Sequence, residues 1–157
     1  MANVLDKLLI NFNKFNDPQF VSGLINEAIR RNENKIILLN TKDQIFNKSI
    51  TSKGNKIKRK FASYPIYSDG YTKYKKKLGK YRSKIDLSLS GRYLDSYEIT
   101  YLFQKFLIEP NSENADLGQV LKNAYGDTIE GFTDENLNKI SDIIQPDLVK
   151  IYLRELK

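Results

Sequence analysis

The chain has 157 residues, 40% of them apolar, with 10 tyrosines, 8 phenylalanines and a net charge of +7; that is enough to bury a core without disulfide or metal support. It contains no cysteine and no histidine. Disulfides, thiolate metal sites, thiol nucleophiles and iron–sulfur clusters are thereby excluded, together with the imidazole base on which most hydrolase mechanisms depend.

Charge divides the sequence unevenly. Residues 1–52 carry 7 basic against 5 acidic side chains, residues 53–84 carry 12 against 1, and residues 85–157 carry 7 against 13. The chain is expected to be a single α+β domain over 1–157: a helical region at 1–52, a basic extended loop at 53–84, and strands followed by helices at 85–157. No cofactor is expected. The longest plain apolar run, Ile36-Ile37-Leu38-Leu39, falls far short of the about 18 residues of a membrane span.

The opening stretch MANVLDKLLINFNKF places Asp6 and Lys7 inside its apolar pattern with no basic run ahead of them. It does not read as a signal peptide, and the chain is expected to be made and kept in a cytoplasm. Val4, Leu8, Leu9, Phe12 and Phe15 suggest a short first helix. Asp17-Pro18 then pairs an N-cap residue with proline at the first helical position. Phe20, Val21, Leu24, Ile25, Ala28 and Ile29 follow as one apolar stripe at helical spacing. The stretch 36–46 fits helix or strand, and the lack of a turn pair within it favours helix.

Turn signals at Ser52-Lys53-Gly54-Asn55, Tyr64-Pro65, Asp69-Gly70 and Leu78-Gly79 predict a long loop with one helical turn around 72–78. Without an apolar stripe, this loop is expected to be poorly ordered in an isolated subunit and to become ordered by docking on a neighbour. Ile85, Leu87 and Leu89 alternate with Asp86, Ser88 and Ser90, which reads as a strand ended by Gly91. A second, longer strand is expected at 96–108, with Tyr97, Ile99, Tyr101 and Phe103 on one face, paired with the first. Gly126 is placed to close a helix over 117–125. Thr133 opens the last helix, with Asp134 and Glu135 in its first turn and Phe132 stapled onto Leu137. Leu137, Ile140 and Ile144 form its stripe, and Pro146 must kink it or start a new one carrying Leu148, Ile151 and Tyr152.

Chemistry is limited to carboxylates, Lys, Arg, Tyr and hydroxyls. Asp86, Asp95 and Glu98 are close enough in sequence to suggest a magnesium site, although acids at such positions commonly serve solvation and capping. No catalytic, cofactor or metal residue is therefore assigned. The basic segment interleaves Tyr64, Tyr67, Tyr71, Tyr74 and Tyr81 with Lys58, Arg59, Lys60, Lys75, Lys76, Lys77 and Arg82. A protein interface to an acidic partner would use that mixture. So would a nucleic-acid surface, with lysine for phosphate and rings for stacking. A solvated loop is the third reading.

The run Ile85-Asp86-Leu87-Ser88-Leu89-Ser90-Gly91-Arg92-Tyr93-Leu94-Asp95-Ser96-Tyr97-Glu98-Ile99 resembles a motif of tailed-phage tail-completion and head–tail connector proteins, Ser90 standing where the family usually has threonine. Asp43-Gln44-Ile45-Phe46, with Gly54 and Lys56-Ile57 after it and Lys77-Leu78-Gly79 further on, is similar to the family's entry to a basic loop. Ala124-Tyr125-Gly126-Asp127 and Gly131-Phe132-Thr133-Asp134-Glu135-Asn136-Leu137 resemble an ending found in relatives from phages of gut Bacteroidetes, including crAss-like phages. The resemblance covers roughly residues 43–140. It implies a non-catalytic structural protein of the virion neck or tail, assembled in the host cytoplasm into a homo-oligomeric ring of 6- or 12-fold symmetry. Its partners would be portal, neck or tail proteins, near packaged DNA and away from any membrane. It also marks Ser90, Gly91, Tyr93, Ser96, Gly126, Gly131 and Phe132 as structural motif positions. The alternative is a basic nucleic-acid-binding protein or an RNase that cleaves without histidine.

Overall fold

A computed structural model describes residues 13–88 and 90–156. It has an α+β fold, mostly helical, with one two-stranded antiparallel sheet. The first helix suggested by the sequence falls largely outside the described residues. Helix α1 (Pro18–Arg31) starts where expected: the Asp17 carboxylate accepts from the Gln19 backbone N–H at 2.9 Å, and Pro18 occupies the first turn. Its stripe buries Leu24, Ala28 and Ile29 and packs along α6 (Asp134–Glu155), Leu24 and Ala28 clustering with Ile151, Ile144 and Leu148, and Ile29 with Ile36, Ile99 and Ile140. Each fully buried isoleucine stabilises by about 1.5–3 kcal/mol.

The ambiguous stretch is helical, in an unusual form. Helix α2 (Glu33–Leu38) runs directly into a π-helical segment (Leu39–Lys48), a wider coil found mostly as single turns at functional or strained places. Polar side chains hold it. Asn40 and Gln44 both donate to the Gly131 carbonyl, at 2.5 and 2.9 Å, while Gln44 Oε1 accepts from the Thr133 N–H and from Asn136 Nδ2. Asn136 also donates to the Leu39 carbonyl. This buried clamp ties the segment to the start of α6, where Thr133 accepts from the Asn136 N–H as N-cap. Ser49, at φ +53, ends the π segment.

The β region differs from expectation. Residues 85–88 form no strand: Leu87 has φ +49, and Asp86 is as buried as Ile85 and Leu87, so the apparent inside–outside alternation does not exist. Leu89 lies outside the described residues. The run 96–108 folds back on itself, giving β1 (Tyr97–Leu102) paired with β2 (Lys105–Pro110). Tyr97, Ile99 and Tyr101 do share the core face, opposite Pro110, Ile108 and Phe106. Phe103 does not, being exposed in the turn. That turn contains neither Gly nor Asn; Gln104 takes φ +59, and its N–H donates to the Ser22 hydroxyl of α1. A tertiary bond thus stabilises a reversal that the local sequence does not signal.

Segment 53–84 holds a longer helix than the single turn expected. It contains α3 (Asp69–Lys77) and contributes Ile57, Tyr67 and Lys75 to the interior. After the short α4 (Arg92–Asp95) and the hairpin come α5 (Ala115–Tyr125), ended at Gly126 with φ +98, and α6. Helix α6 runs through Pro146 as one element rather than two. The carbonyl that Pro146 leaves without its helical partner is that of Asp142, an exposed residue, where water can serve instead. Among the described residues, no helix is long and apolar enough to cross a membrane.

Candidate functional site

The basic segment is built outward from a few fixed points. Ile50 and Lys56 form an isolated antiparallel bridge around the turn at Gly54, and the Ile57 N–H donates to the Ser49 carbonyl, which draws the Ile57 side chain into the core. The Lys60 N–H then donates to the Ala124 carbonyl near the end of α5 at 2.8 Å, and a turn closes from the Ala62 N–H to the Arg59 carbonyl. Between these bonds Phe61 adopts φ +58 and is fully exposed. Tyr64 and Ile66 are exposed as well. Chain direction is recovered at Tyr67, which is buried, and at Ser68, whose carbonyl accepts from Thr72 to start α3.

The interior end of the segment is a sealed polar cluster. Lys75 Nζ donates to Asp86 Oδ1 and to the Ser88 carbonyl, both at 2.7 Å, and lies 4.7 Å from the centre of the Tyr67 ring. The Tyr67 hydroxyl donates to the same carboxylate oxygen at 2.8 Å and accepts from the Asp86 and Leu87 N–H groups. Burial, and then the neighbouring Asp86 charge, push the Tyr67 phenol far above its ordinary value. Arg82 Nε stands 4.0 Å from the other carboxylate oxygen of Asp86, and the cluster cross-links the segment to residues 85–88.

The expected contact residues accordingly divide. Lys58, Arg59, Lys60, Tyr64, Tyr74, Lys76, Lys77 and Tyr81 are exposed, with Lys76 over the Tyr81 ring at 4.9 Å. Tyr71 is half-buried against Tyr67, and Arg82 stacks 4.0 Å over Phe46. Tyr67 and Lys75, expected as contacts, are core residues. Phe61 and Ile66 are exposed apolar side chains that the pattern reading passed over; the signal for Phe61 was an aromatic directly after Lys58-Arg59-Lys60.

The motif positions serve the fold. Gly91 has φ +90, and a Cβ there would stand 2.7 Å from Asp95 Oδ2. The exposed Ser90 hydroxyl accepts from the Arg92 N–H, Ser96 donates to the Tyr93 carbonyl, and the Tyr97 hydroxyl donates to that of Tyr93. Gly131 supplies the carbonyl of the polar clamp, and Phe132 packs on Phe106. Asp86, Asp95 and Glu98 are not brought together: Asp86 is enclosed with Lys75, and Asp95 and Glu98 are exposed. Among the described residues no group of three or more acids could hold a metal ion.

A concavity of about 920 Å³ forms an apolar groove between α1, β2 and α6, walled by Val21, Ile25, Phe106, Leu107, Leu137 and Ile144. Its charged wall residues are Glu109, Glu130 and Lys105. Glu130 Oε2 pairs with Lys122 at 2.6 Å, while its buried Oε1 has no hydrogen-bond partner. No protein-family model, no curated protein and no solved structure matches this chain.

Proposed function

We propose that this chain is a structural subunit of a tailed-phage particle, part of a ring in the neck or at the head–tail junction, with no catalytic step of its own. The observation that carries the reading is a surface divided in kind. Lys58, Arg59, Lys60, Phe61, Tyr64 and Ile66 project from a segment bonded to the core on either side, in a chain whose residues 85–157 carry the opposite net charge. A ring subunit needs two unlike surfaces that fit one another, because its head-to-tail contact repeats until the ring closes. The resemblance of residues 43–140 to connector and tail-completion proteins points to the same assembly, with portal and tail proteins as neighbours and packaged DNA within reach of inward lysines.

Electron microscopy of the concentrated full chain tests the reading, with closed rings as the expected result. Incubation with single- and double-stranded DNA and RNA in magnesium or manganese is expected to give no cleavage. Salt-dependent binding of nucleic acid by a chain that forms no rings would replace the ring reading with the nucleic-acid one. Portal, capsid and tail genes beside the coding sequence are the expected genomic setting.

A further inference from the structure

A second recess, separate from the apolar groove, opens between α3, α5 and the turn at Gly91. Its volume is about 430 Å³, and four tyrosines stand in its wall: Tyr67, Tyr71, Tyr93 and Tyr125. Among its described lining residues Arg59 alone carries a charge. A smaller cleft of about 300 Å³ shares Arg59 and Ala124 with the recess and adds Lys60 and Phe61. The bond from the Lys60 N–H to the Ala124 carbonyl, 2.8 Å long, fixes the two beside one another. No acidic side chain lines either one, and no ion pair among the described residues uses Arg59 or Lys60. Asp86, bonded to the Tyr67 hydroxyl, is already taken by Lys75.

The wall is not plain hydrocarbon. The Tyr71 and Tyr125 hydroxyls have no hydrogen-bond partner among the described residues. Burial and then Tyr71 raise the Tyr125 phenol, and the Arg59 charge opposes that rise, so the guanidinium stands near the Tyr125 hydroxyl at the mouth. Leu87 in the recess and Phe61 in the cleft hold positive φ, +49 and +58, conformations that bulky residues rarely adopt and that cluster at ligand sites. We infer that the recess takes a nucleobase and that Arg59 with Lys60 holds the phosphate attached to it. A base offers a flat ring to the tyrosines and edge donors and acceptors to the two hydroxyls. Its phosphate supplies the negative charge that the two cations lack. An aliphatic acid would answer the cations and strand the hydroxyls, and an acidic side chain has no ring to fill the space. The same base-and-phosphate unit occurs in a free nucleotide and at an unpaired position of a strand, whereas in a duplex the base is stacked and out of reach. The inference is independent of the ring reading.

Isothermal titration calorimetry on the full chain tests the site with adenosine monophosphate, adenosine, inorganic phosphate and a single-stranded thymidylate hexamer. Adenosine monophosphate is expected to bind at one site per chain, and adenosine about tenfold more weakly for want of the charged hydrogen bonds. Arg59→Ala is expected to remove that difference at an unchanged melting temperature, because its exposed side chain has no ion pair to lose. Tyr125→Phe, which keeps the ring, is expected to weaken the nucleotide and the nucleoside alike. Binding of the mononucleotide but not the hexamer supports the site with a free nucleotide as its source; binding of the hexamer alone, with the same loss in Arg59→Ala, supports it with an unpaired strand. Binding of neither, or binding of both unchanged in Arg59→Ala, would overturn the inference. Inorganic phosphate bound as tightly as the nucleotide would reduce the site to an anion contact without use of the recess, and polyglutamate bound as tightly would assign it to an acidic peptide instead. Closed rings without nucleotide binding would remove the site and leave the ring reading standing; nucleotide binding by a chain that forms no rings would keep the site and remove the ring.

Discussion

Lys75 Nζ and Asp86 Oδ1 lie 2.7 Å apart with both side chains sealed from solvent. The lysine comes from the last turn of α3 and the aspartate from a segment that forms no regular structure, so this pair joins the basic segment to the core. The Tyr67 hydroxyl and the Ser88 carbonyl complete the shell around the two charges. Enclosed pairs of this kind contribute little net stability relative to apolar replacements, yet removing one partner strands the other charge without water.

The first prediction follows from that asymmetry. Asp86→Ala is expected to destabilise the fold by about 3–5 kcal/mol, since Lys75 would be left charged and enclosed. Lys75→Met combined with Asp86→Leu is expected to recover a large part of the loss. Urea denaturation monitored by circular dichroism measures both; a midpoint unchanged in Asp86→Ala would show that Lys75 reaches solvent.

Glycine substitutions should divide by backbone angle. Gly91→Val requires φ near +90 and places Cβ against Asp95, at an expected cost of about 1–3 kcal/mol. Gly23→Ala lies inside α1 with nothing within 4 Å, so it should stabilise by up to about 1 kcal/mol. Melting temperatures moving in opposite directions confirm this, and equal shifts would argue against the turn at Gly91.

Alkaline pH should unfold the protein. Burial first of all raises the phenols of Tyr67, Tyr93, Tyr97 and Tyr125, and it pushes Tyr101 up to about 12 with help from Glu33. Unfolded tyrosines lose their protons near pH 10 while the folded ones retain theirs. The stability these groups contribute is therefore fully present below about pH 10 and is lost as pH rises through 12. Absorbance at 295 nm should report tyrosinate appearing together with loss of helical signal. Complete titration near pH 10 in a protein that stays helical would contradict the burial of these rings.

Hydrogen exchange on the isolated subunit should find segment 53–84 divided. The Ile57 and Lys60 amides, bonded to the Ser49 and Ala124 carbonyls, are expected to be protected along with the second half of α3, while residues 63–66 exchange quickly. Uniform fast exchange over the whole segment would instead support a loop ordered only by its neighbours.

The sequence by itself determined where α1 and α6 begin and where α5 ends, because those signals are local. Asp17-Pro18 opens α1, Thr133 with Asp134 and Glu135 opens α6, and Gly126 closes α5, each by satisfying backbone groups within a few residues. It also determined what chemistry is absent and where the positive charge concentrates. The hairpin turn at Phe103-Gln104 was decided by the Ser22 hydroxyl of a helix some eighty residues earlier. Asp86 looked like a solvent-facing strand position until Lys75 met it inside, and the basic segment lacked a stripe of its own because Ile57 and Tyr67 enter the core one at a time from irregular backbone and Lys75 alone from α3. Local patterning records a residue's neighbours in the chain. A buried charge pair, a turn held by a distant hydroxyl and a polar clamp around Gly131 depend on partners brought together only when the chain packs, and so only the tertiary structure decided them.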